Sequence, residues 1–200
     1  MPALPTLEPA FGDPVRQSQS VFRLAMEAMA SPGRIVALRS GLAPPAPLNG
    51  PAAALLLTLC DYQTPVWLDR ALAESTHVAT FLRFHTGAGL VGAPSDATFA
   101  AIADAMAMLP LSAFAQGTPA YPDRSTTLIV QVETFADDGW RLEGPGILGS
   151  TCFGASPLPA DFVDRLRANR AAFPCGIDIF LASANAIAAL PRSVRVTEAA

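Results

Sequence analysis

Proline and glycine divide the apolar parts of this chain into short segments, which limits the length of every helix and strand. The chain has 200 residues, 19 of them proline and 14 glycine. Its longest uncharged stretch, residues 41–60, is interrupted by prolines and leaves only Ala52–Cys60 as a continuous apolar run. A membrane-spanning helix needs about 20 apolar residues. We therefore expect no membrane span and a domain that buries roughly 70% of its unfolded surface.

The N-terminal sequence and the cysteine content indicate a cytoplasmic protein, and the net charge indicates one that does not bind nucleic acid. Glu8 and Asp13 lie near the start, and no basic region with an apolar core precedes them, so no signal peptide is predicted. The three cysteines, Cys60, Cys152 and Cys175, are odd in number and far apart, which argues against a disulfide framework. The net charge of −4 provides no basic surface for nucleic acid.

The chain contains no lysine, because all 13 basic residues are arginines. A protein without lysine cannot form an internal Schiff base with pyridoxal phosphate. It also cannot supply the lysine of a phosphate-binding P-loop. Two large classes of cofactor and nucleotide enzymes are thereby excluded.

Cap residues predict five helices, the first between Asp13-Pro14 and Ser31-Pro32-Gly33. The first helix has Val15, Phe22, Met26 and Met29 on one face. The others are predicted from Asn49 and Pro51, from Ser75 to Gly87, over Asp104–Met108 before Pro110, and over Pro159–Phe173 with Phe162, Leu166, Asn169 and Phe173 on one face.

Short β-branched and apolar runs predict the strands. They are Ile35–Leu38, Thr126–Phe135, Trp140–Glu143 after a turn at Asp137-Asp138-Gly139, Ile177–Leu181, and an edge strand at Val194–Val196; residues 40–51 and Gln116–Arg124 are predicted as loops. Helices and strands alternate, which predicts one α/β domain over residues 1–200, with a mixed sheet between helices in three layers. Residues 1–12 are predicted as an N-terminal arm and 197–200 as a C-terminal tail.

Residues 144–149 have the spacing GxGxxG of a dinucleotide-binding turn, but their context does not fit one. Such a turn needs a helix that opens at the third glycine. Here Gly154, Pro157 and Pro159 follow, and they prevent a helix. We therefore predict a tight turn after a strand and no bound nucleotide at this position.

No catalytic or metal site is predicted from motif spacing. The two histidines, His77 and His85, and the cysteines lack the spacing of zinc ligands or of a catalytic cysteine. Candidate pocket or interface residues fall into two groups instead. The first group lies after the second predicted helix and at the end of the third, and comprises Asp61, Thr64, Trp67, Arg83, His85 and Thr86. The second group is Asp178, inside an apolar strand, with Arg192 as its candidate partner or as an anion ligand. For Asp178, a structural ion pair and a functional pocket remain alternatives.

Seven short motifs occur in the order typical of one family. They are Phe22 with Ala28-Met29, Pro32-Gly33 and Ile35–Leu38; Leu57–Leu59 with Asp61 and Thr64–Leu68; Arg83–Thr86; Ala97–Phe99; Gly117-Thr118 with Pro122 and Thr127–Ile129; Phe173-Pro174 with Gly176–Asp178; and Pro191–Ser193. In these the chain resembles the H-subunit family of the bacterial carbon–phosphorus lyase core complex, from Asp13 to about Val196. It departs from the family pattern at Cys175 and Gly89.

The resemblance implies a fold similar to pyridoxal-phosphate-dependent transferases, but without the cofactor. It implies a non-catalytic or accessory role in phosphonate breakdown, together with G, I and J subunits. That complex couples a phosphonate to the ribose of ATP and displaces adenine. A radical step on the J subunit then breaks the carbon–phosphorus bond. When isolated, the chain is expected to form a homodimer. The alternative is a self-standing hydrolase or transferase with a pocket around Asp61, His85 and Asp178.

The absence of lysine yields a direct prediction about pyridoxal phosphate. After incubation with this cofactor and reduction with borohydride, no side chain should carry the label, because no ε-amino group is available. Peptide mass spectrometry measures this, with a lysine-containing protein as the positive control. Stable label on an internal residue would contradict the prediction, whereas label on the N-terminal amine would not.

Overall fold

The computed structural model describes residues 9–198. Most of the predicted N-terminal arm and the last two residues of the predicted tail therefore lie outside the described residues. Within the described part there are five α-helices: α1 Pro14–Ala30, α2 Gly50–Leu59, α3 Arg70–Ala73, α4 Thr76–Thr86 and α5 Phe162–Ala171. None of these helices combines the length and the apolar content that crossing a membrane requires.

The strands form one large sheet and two small ones. They are β1 Val36–Ala37, β2 Val66–Leu68, β3 Phe99–Ile102, β4 Gln116–Thr118, β5 Tyr121–Ser125, β6 Thr127–Gln131, β7 Thr134–Glu143, β8 Thr151–Ser156, β9 Asp178–Ala182, β10 Ala186–Leu190 and β11 Arg195–Glu198. The large sheet has the order β1-β10-β9-β6-β3-β2, and the small sheets are β11-β7-β8 and β4-β5. Strand β11 includes two residues of the predicted tail.

The large sheet is mixed and is buried on both faces. Strands β2, β3, β6 and β9 run parallel, and β10 is antiparallel to β9. On one face Ile129 and Phe180 pack into a core shared with α1, α2 and α4. On the other face Leu128 and Ile179 pack into a second core, which α5 and the β11-β7-β8 sheet complete. This arrangement confirms the predicted mixed α/β class, although a small sheet shares the second outer layer with α5.

Local capping chemistry was predicted well. The side chain of Asp13 accepts a hydrogen bond from the backbone N–H of Arg16, and that of Asn49 accepts one from Ala52. Ser75 accepts from Val78, and Gly87 ends α4 in a left-handed conformation. In each case the signal lies within four residues of the helix end, so the sequence alone carries it.

Several predicted strands differ from the structure. Thr126–Phe135 is not one strand, because β6 ends at Gln131 and β7 begins at Thr134. The turn predicted at 137–139 is wrong: β7 continues through these residues as a bulge, with its register against β8 shifting between Ala136 and Trp140. The predicted loop Gln116–Arg124 is the β4-β5 hairpin. By contrast, the turn at 144–149 is confirmed as the connection from β7 to β8.

Two predicted apolar faces are also corrected. On α1 the buried residues are Val21, Ala25 and Ala28, whereas Val15, Phe22 and Met26 are exposed. On α5 Phe162, Leu166 and Asn169 are buried, as predicted, but Phe173 lies beyond the helix and is exposed. The helix predicted over Asp104–Met108 is a single 3₁₀ turn, Ala105–Ala107.

The segment that enters β9 is held by a close contact between Gly176 and Asn169. The Asn169 side-chain amide donates to the Ile177 carbonyl and its oxygen accepts the Ile177 N–H, both at 2.9 Å. Gly176 has φ 111°, and a Cβ there would lie 2.7 Å from Asn169 Oδ1. Only glycine fits this position, and the contact fixes where Asp178 begins the strand.

We predict that Gly176→Ala lowers the free energy of unfolding by about 2–4 kcal/mol, because it adds backbone strain and displaces a buried amide. Chemical denaturation measures this. Gly89→Ala is the matched control, since Gly89 is exposed and a Cβ there meets nothing within 4 Å. We expect the control to change stability by less than about 0.5 kcal/mol. Equal effects of the two substitutions would contradict the account.

Candidate functional site

Asp178 and Arg192 form a two-pronged ion pair where β9 begins. Arg192 Nη2 lies 2.6 Å from Asp178 Oδ2, and Arg192 Nε lies 3.2 Å from Asp178 Oδ1. The backbone N–H of Arg192 also donates to Asp178 Oδ1, at 2.8 Å. A planar guanidinium and a carboxylate suit this paired geometry. The partner suggested for Asp178 from the sequence is thus the one that it contacts.

The Arg192 guanidinium also binds the β4-β5 hairpin. Its Nη1 donates to the carbonyl of Pro122 at 2.7 Å, and its Nη2 donates to the hydroxyl of Ser125. The side chains of Asp178 and Arg192 are only 24% and 14% exposed. The pair therefore connects β9, the segment after β10, and the hairpin, and both of its charges are used in these contacts. This is the geometry of a structural clamp.

Asp61 and Thr64 form a tight turn between α2 and β2. Asp61 Oδ1 accepts the N–H of Gln63 at 2.8 Å, and Thr64 Oγ1 donates to the Asp61 carbonyl at 3.0 Å. The hydroxyl of Thr64 also accepts the Asp61 N–H, at 2.6 Å. These bonds stabilise the turn, as polar residues in turns commonly do.

The end of α4 lies against this turn. Thr86 donates to the Leu82 carbonyl at 2.7 Å and accepts the Ala88 N–H at 3.0 Å. The His85 ring packs edge-on against Phe81 and Phe84, with centroids 4.7 and 5.0 Å apart. The polar groups of Thr86 thus serve the helix end, and Arg83 lies exposed on the same helix.

The alternative pocket of Asp61, His85 and Asp178 is not assembled by direct contacts. Asp61 precedes β2, whereas Asp178 is in β9, and β3 and β6 separate these strands. Three strand spacings correspond to about 14 Å. Asp178 binds Arg192, while Asp61 binds its own turn. The structure thus brings together Asp61, Thr64, His85 and Thr86 in one region, and Asp178 with Arg192 in another.

Trp67 lies apart from both groups, in a cavity at the carboxyl ends of β2 and β3. The cavity has a volume of about 440 Å³, and its walls include Arg70, Glu74 and Met108. The Trp67 ring packs edge-on against Phe114 at 5.6 Å. Asp69, also in the wall, accepts the N–H groups of Leu72, Ala103 and Asp104, at 2.8–3.0 Å, so its carboxylate is engaged by the backbone.

The environments of the three cysteines differ from one another. Burial, with a smaller contribution from the Asp61 charge, raises the pKa of the Cys60 thiol to about 12, so it is protonated at neutral pH and a poor nucleophile. Cys152 is exposed and Cys175 is half-buried. Among residues 9–198, no group of three or more histidine, cysteine, aspartate or glutamate side chains is arranged to hold a metal ion.

Two exposed aromatic residues beside the first group were not singled out from the sequence. Tyr62 is 77% exposed and Phe84 is 70% exposed. A Cβ added at Gly87 would lie 3.6 Å from Tyr62 Cβ, and the Phe84 ring contacts His85, so these residues share one surface. We call Tyr62, Phe84 and His85 the aromatic corner. A single apolar residue on a surface is unremarkable, so only their proximity marks this region.

The chain is similar to known proteins over most of its length. A family model described as "Bacterial phosphonate metabolism protein (PhnH)" matches residues 9–197. A protein of Rhizobium meliloti (strain 1021), the alpha-D-ribose 1-methylphosphonate 5-triphosphate synthase subunit PhnH, is 44% identical over 189 residues, which cover 94% of each chain. The putative C-P lyase subunit protein HtxG of Stutzerimonas stutzeri is 28% identical over 181 residues, covering 90% of this chain and 86% of that protein.

The Asp178–Arg192 ion pair yields a prediction that distinguishes a structural role of Asp178 from a functional one. We expect Asp178→Ala to lower the free energy of unfolding by about 2–4 kcal/mol, because it leaves a largely buried guanidinium without its carboxylate. Glu74→Ala is the control: it removes the exposed Arg70–Glu74 pair and should cost less than about 1 kcal/mol. Thermal and denaturant unfolding measure both. An Asp178→Ala protein as stable as the parent, yet unable to support phosphonate use, would instead indicate a functional pocket.

Proposed function

The chain belongs to the PhnH family of bacterial phosphonate metabolism proteins, and we propose from this that it is the H subunit of a carbon–phosphorus lyase complex. This proposal is supported by the Rhizobium meliloti relative, whose name describes it as a subunit of a synthase. The G, I and J subunits are the proposed partners. The proposed reaction of the complex couples a phosphonate to the ribose of ATP and displaces adenine, before partner subunits break the carbon–phosphorus bond.

We propose an accessory role for this chain. The observation that supports it is that the polar candidate residues are engaged in contacts within the fold. The Asp61 carboxylate binds its own turn, the Asp178 carboxylate binds Arg192, and the Cys60 thiol is buried. Large apolar side chains are exposed instead, on α1 and at the aromatic corner. Exposed apolar patches of a few hundred Å² commonly mark protein–protein contacts.

The proposal also covers the fold, the cellular location and the residues of the partner contact. We propose that residues 1–200 form one domain of the fold seen in pyridoxal-phosphate-dependent transferases, without the cofactor, and that the protein works in the cytoplasm. The candidate residues Asp61, Thr64, Arg83 and Thr86 then surround a partner contact centred on the aromatic corner, to which His85 belongs. Trp67 lies outside this contact and lines its own cavity.

Loss of the protein tests its place in phosphonate breakdown. A clean deletion of the gene should abolish growth on methylphosphonate as the sole phosphorus source, because the complex lacks a subunit, while growth on inorganic phosphate continues. Co-expressed G, I and J subunits should co-purify with this chain in fixed proportion. Retained growth of the deletion strain, in the absence of a second copy of the gene, would refute an essential role.

Self-association of the isolated chain is a second expected outcome. We propose that Val15, Phe22 and Met26 on α1, the α1 stripe, form the homodimer face when partners are absent. The isolated chain should then have a mass about twice 20.8 kDa by light scattering. Met26→Arg should shift it to the monomer, whereas Arg23→Ala, an exposed change on the same helix, should not. A monomeric parent, or a Met26→Arg dimer of unchanged affinity, would contradict this proposal.

A further inference from the structure

Strand β8 is an edge strand that carries none of the usual protection against pairing. It lies at the outside of the β11-β7-β8 sheet. Its six residues, Thr151–Ser156, include no charge and no proline. Proteins usually protect such edges with charges, prolines, bulges or a covering segment. The bulge of this sheet is in β7, so β8 itself stays regular and available.

The backbone on the free side of β8 has no partner among residues 9–198. Beyond its pairing with β7, the one backbone hydrogen bond to β8 runs from the Glu133 N–H to the Ser156 carbonyl, at 2.7 Å. That bond lies on the β7 side, because Glu133 directly precedes β7. The pairing of β7 with β11 fixes the alternation: the Thr197 hydroxyl donates to the Arg141 carbonyl, so Arg141 faces β11 and its neighbours Trp140 and Leu142 face β8. Their partners Phe153 and Thr151 therefore face β7, and the N–H and C=O groups of Cys152 and Gly154 face the free side.

A cleft begins beside the first residues of β8. It has a volume of about 480 Å³, and Thr151 and Cys152 belong to its wall. Ile35, Ile147 and Leu148 give the cleft apolar surface, and Leu148 is fully exposed. A side chain carried on an extended segment at β8 could enter this cleft, as specificity pockets do when a strand is added to a sheet.

The charges around the cleft favour a basic segment. Arg34 is in the wall, but its Nη1 lies 3.0 Å from Glu27 Oε1, so its charge is balanced. Asp137 is also in the wall, and within the described residues it has no ion pair, nor has its neighbour Asp138. The surplus of negative charge disfavours an anion and suits lysine or arginine.

We propose that β8 is the docking edge for an extended segment of another subunit, which adds a strand beside Thr151–Ser156. The segment has an apolar side chain for the cleft and a lysine or arginine for Asp137. This inference rests on the proposed function, since it assigns a surface to the same assembly. It also implies that β8 is unpaired in the isolated chain.

Hydrogen–deuterium exchange on the parent protein tests the docking edge without any substitution. The probe is the co-purified assembly with the G, I and J subunits, compared with the isolated chain. We expect the amides of Cys152 and Gly154 to exchange at least tenfold more slowly in the assembly. An assembly that forms while these amides exchange unchanged would overturn this inference alone. Failure of any assembly to form would overturn both this inference and the proposed function.

Two substitutions test the edge and the charge. Cys152→Lys adds a charge beside the edge, and Asp137→Lys reverses the charge in the cleft; each should reduce co-purification with the other subunits at least tenfold. Ala171→Lys, at the exposed end of α5, is the control and should have no effect. Unchanged co-purification of both variants would overturn the inference. So would protection of the Cys152 and Gly154 amides in the isolated chain that rises with its concentration, because the occupant would then be a second copy.

Discussion

The burial of both faces of the large sheet is the constraint on which the rest of this structure depends. Sheets built largely of parallel strands are covered on both sides. Here almost every residue of the parallel strand β9 and every residue of its antiparallel neighbour β10 is buried. Such strands have no room for polar side chains along their length. Polar groups are therefore confined to strand ends, where Asp69 follows β2 and Asp178 opens β9.

These two carboxylates show how the strand ends are used. Asp69 accepts three backbone N–H groups at one end of the sheet, and Asp178 binds Arg192 at the other. Each side chain satisfies hydrogen-bonding groups that would be costly to leave unpaired. These polar residues are engaged within the fold, and the surfaces that we propose for partner contact are the α1 stripe, the aromatic corner and the free edge of β8.

The sequence predicted those features whose causes are local. Asp13, Asn49 and Ser75 are correctly predicted as the residues that start helices, since each bonded N–H group is three residues away. Strand β10, with the sequence AIAAL, was not predicted, because alanine has little preference for strands and only tertiary burial makes this segment one. The exposed α1 stripe was missed for a related reason: small residues, Ala25 and Ala28, allow the helix to pack closely on the other side.

In the candidate site, too, some contacts could be predicted from the sequence and others could not. The pairing of Asp178 with Arg192 was anticipated, because a carboxylate in an apolar strand needs a partner. The contacts of Arg192 with Pro122 and Ser125 are not predictable in this way, since the sequence of Gln116–Arg124 indicates a loop and the structure has the β4-β5 hairpin there. Likewise, Tyr62 and Phe84 are far apart in sequence, and only the packing of α4 against the turn after α2 brings them to one surface.

We propose that this chain acts only as part of an assembly, and turnover by purified components distinguishes this from an activity of its own. ATP and methylphosphonate are incubated with the isolated chain, with the G, I and J subunits, and with all four proteins, and ³¹P NMR follows the products. The account predicts no turnover by the isolated chain and formation of a ribose-linked methylphosphonate by the complete set. Consumption of either substrate by the isolated chain, lost on substitution of Asp61 or His85, would contradict it.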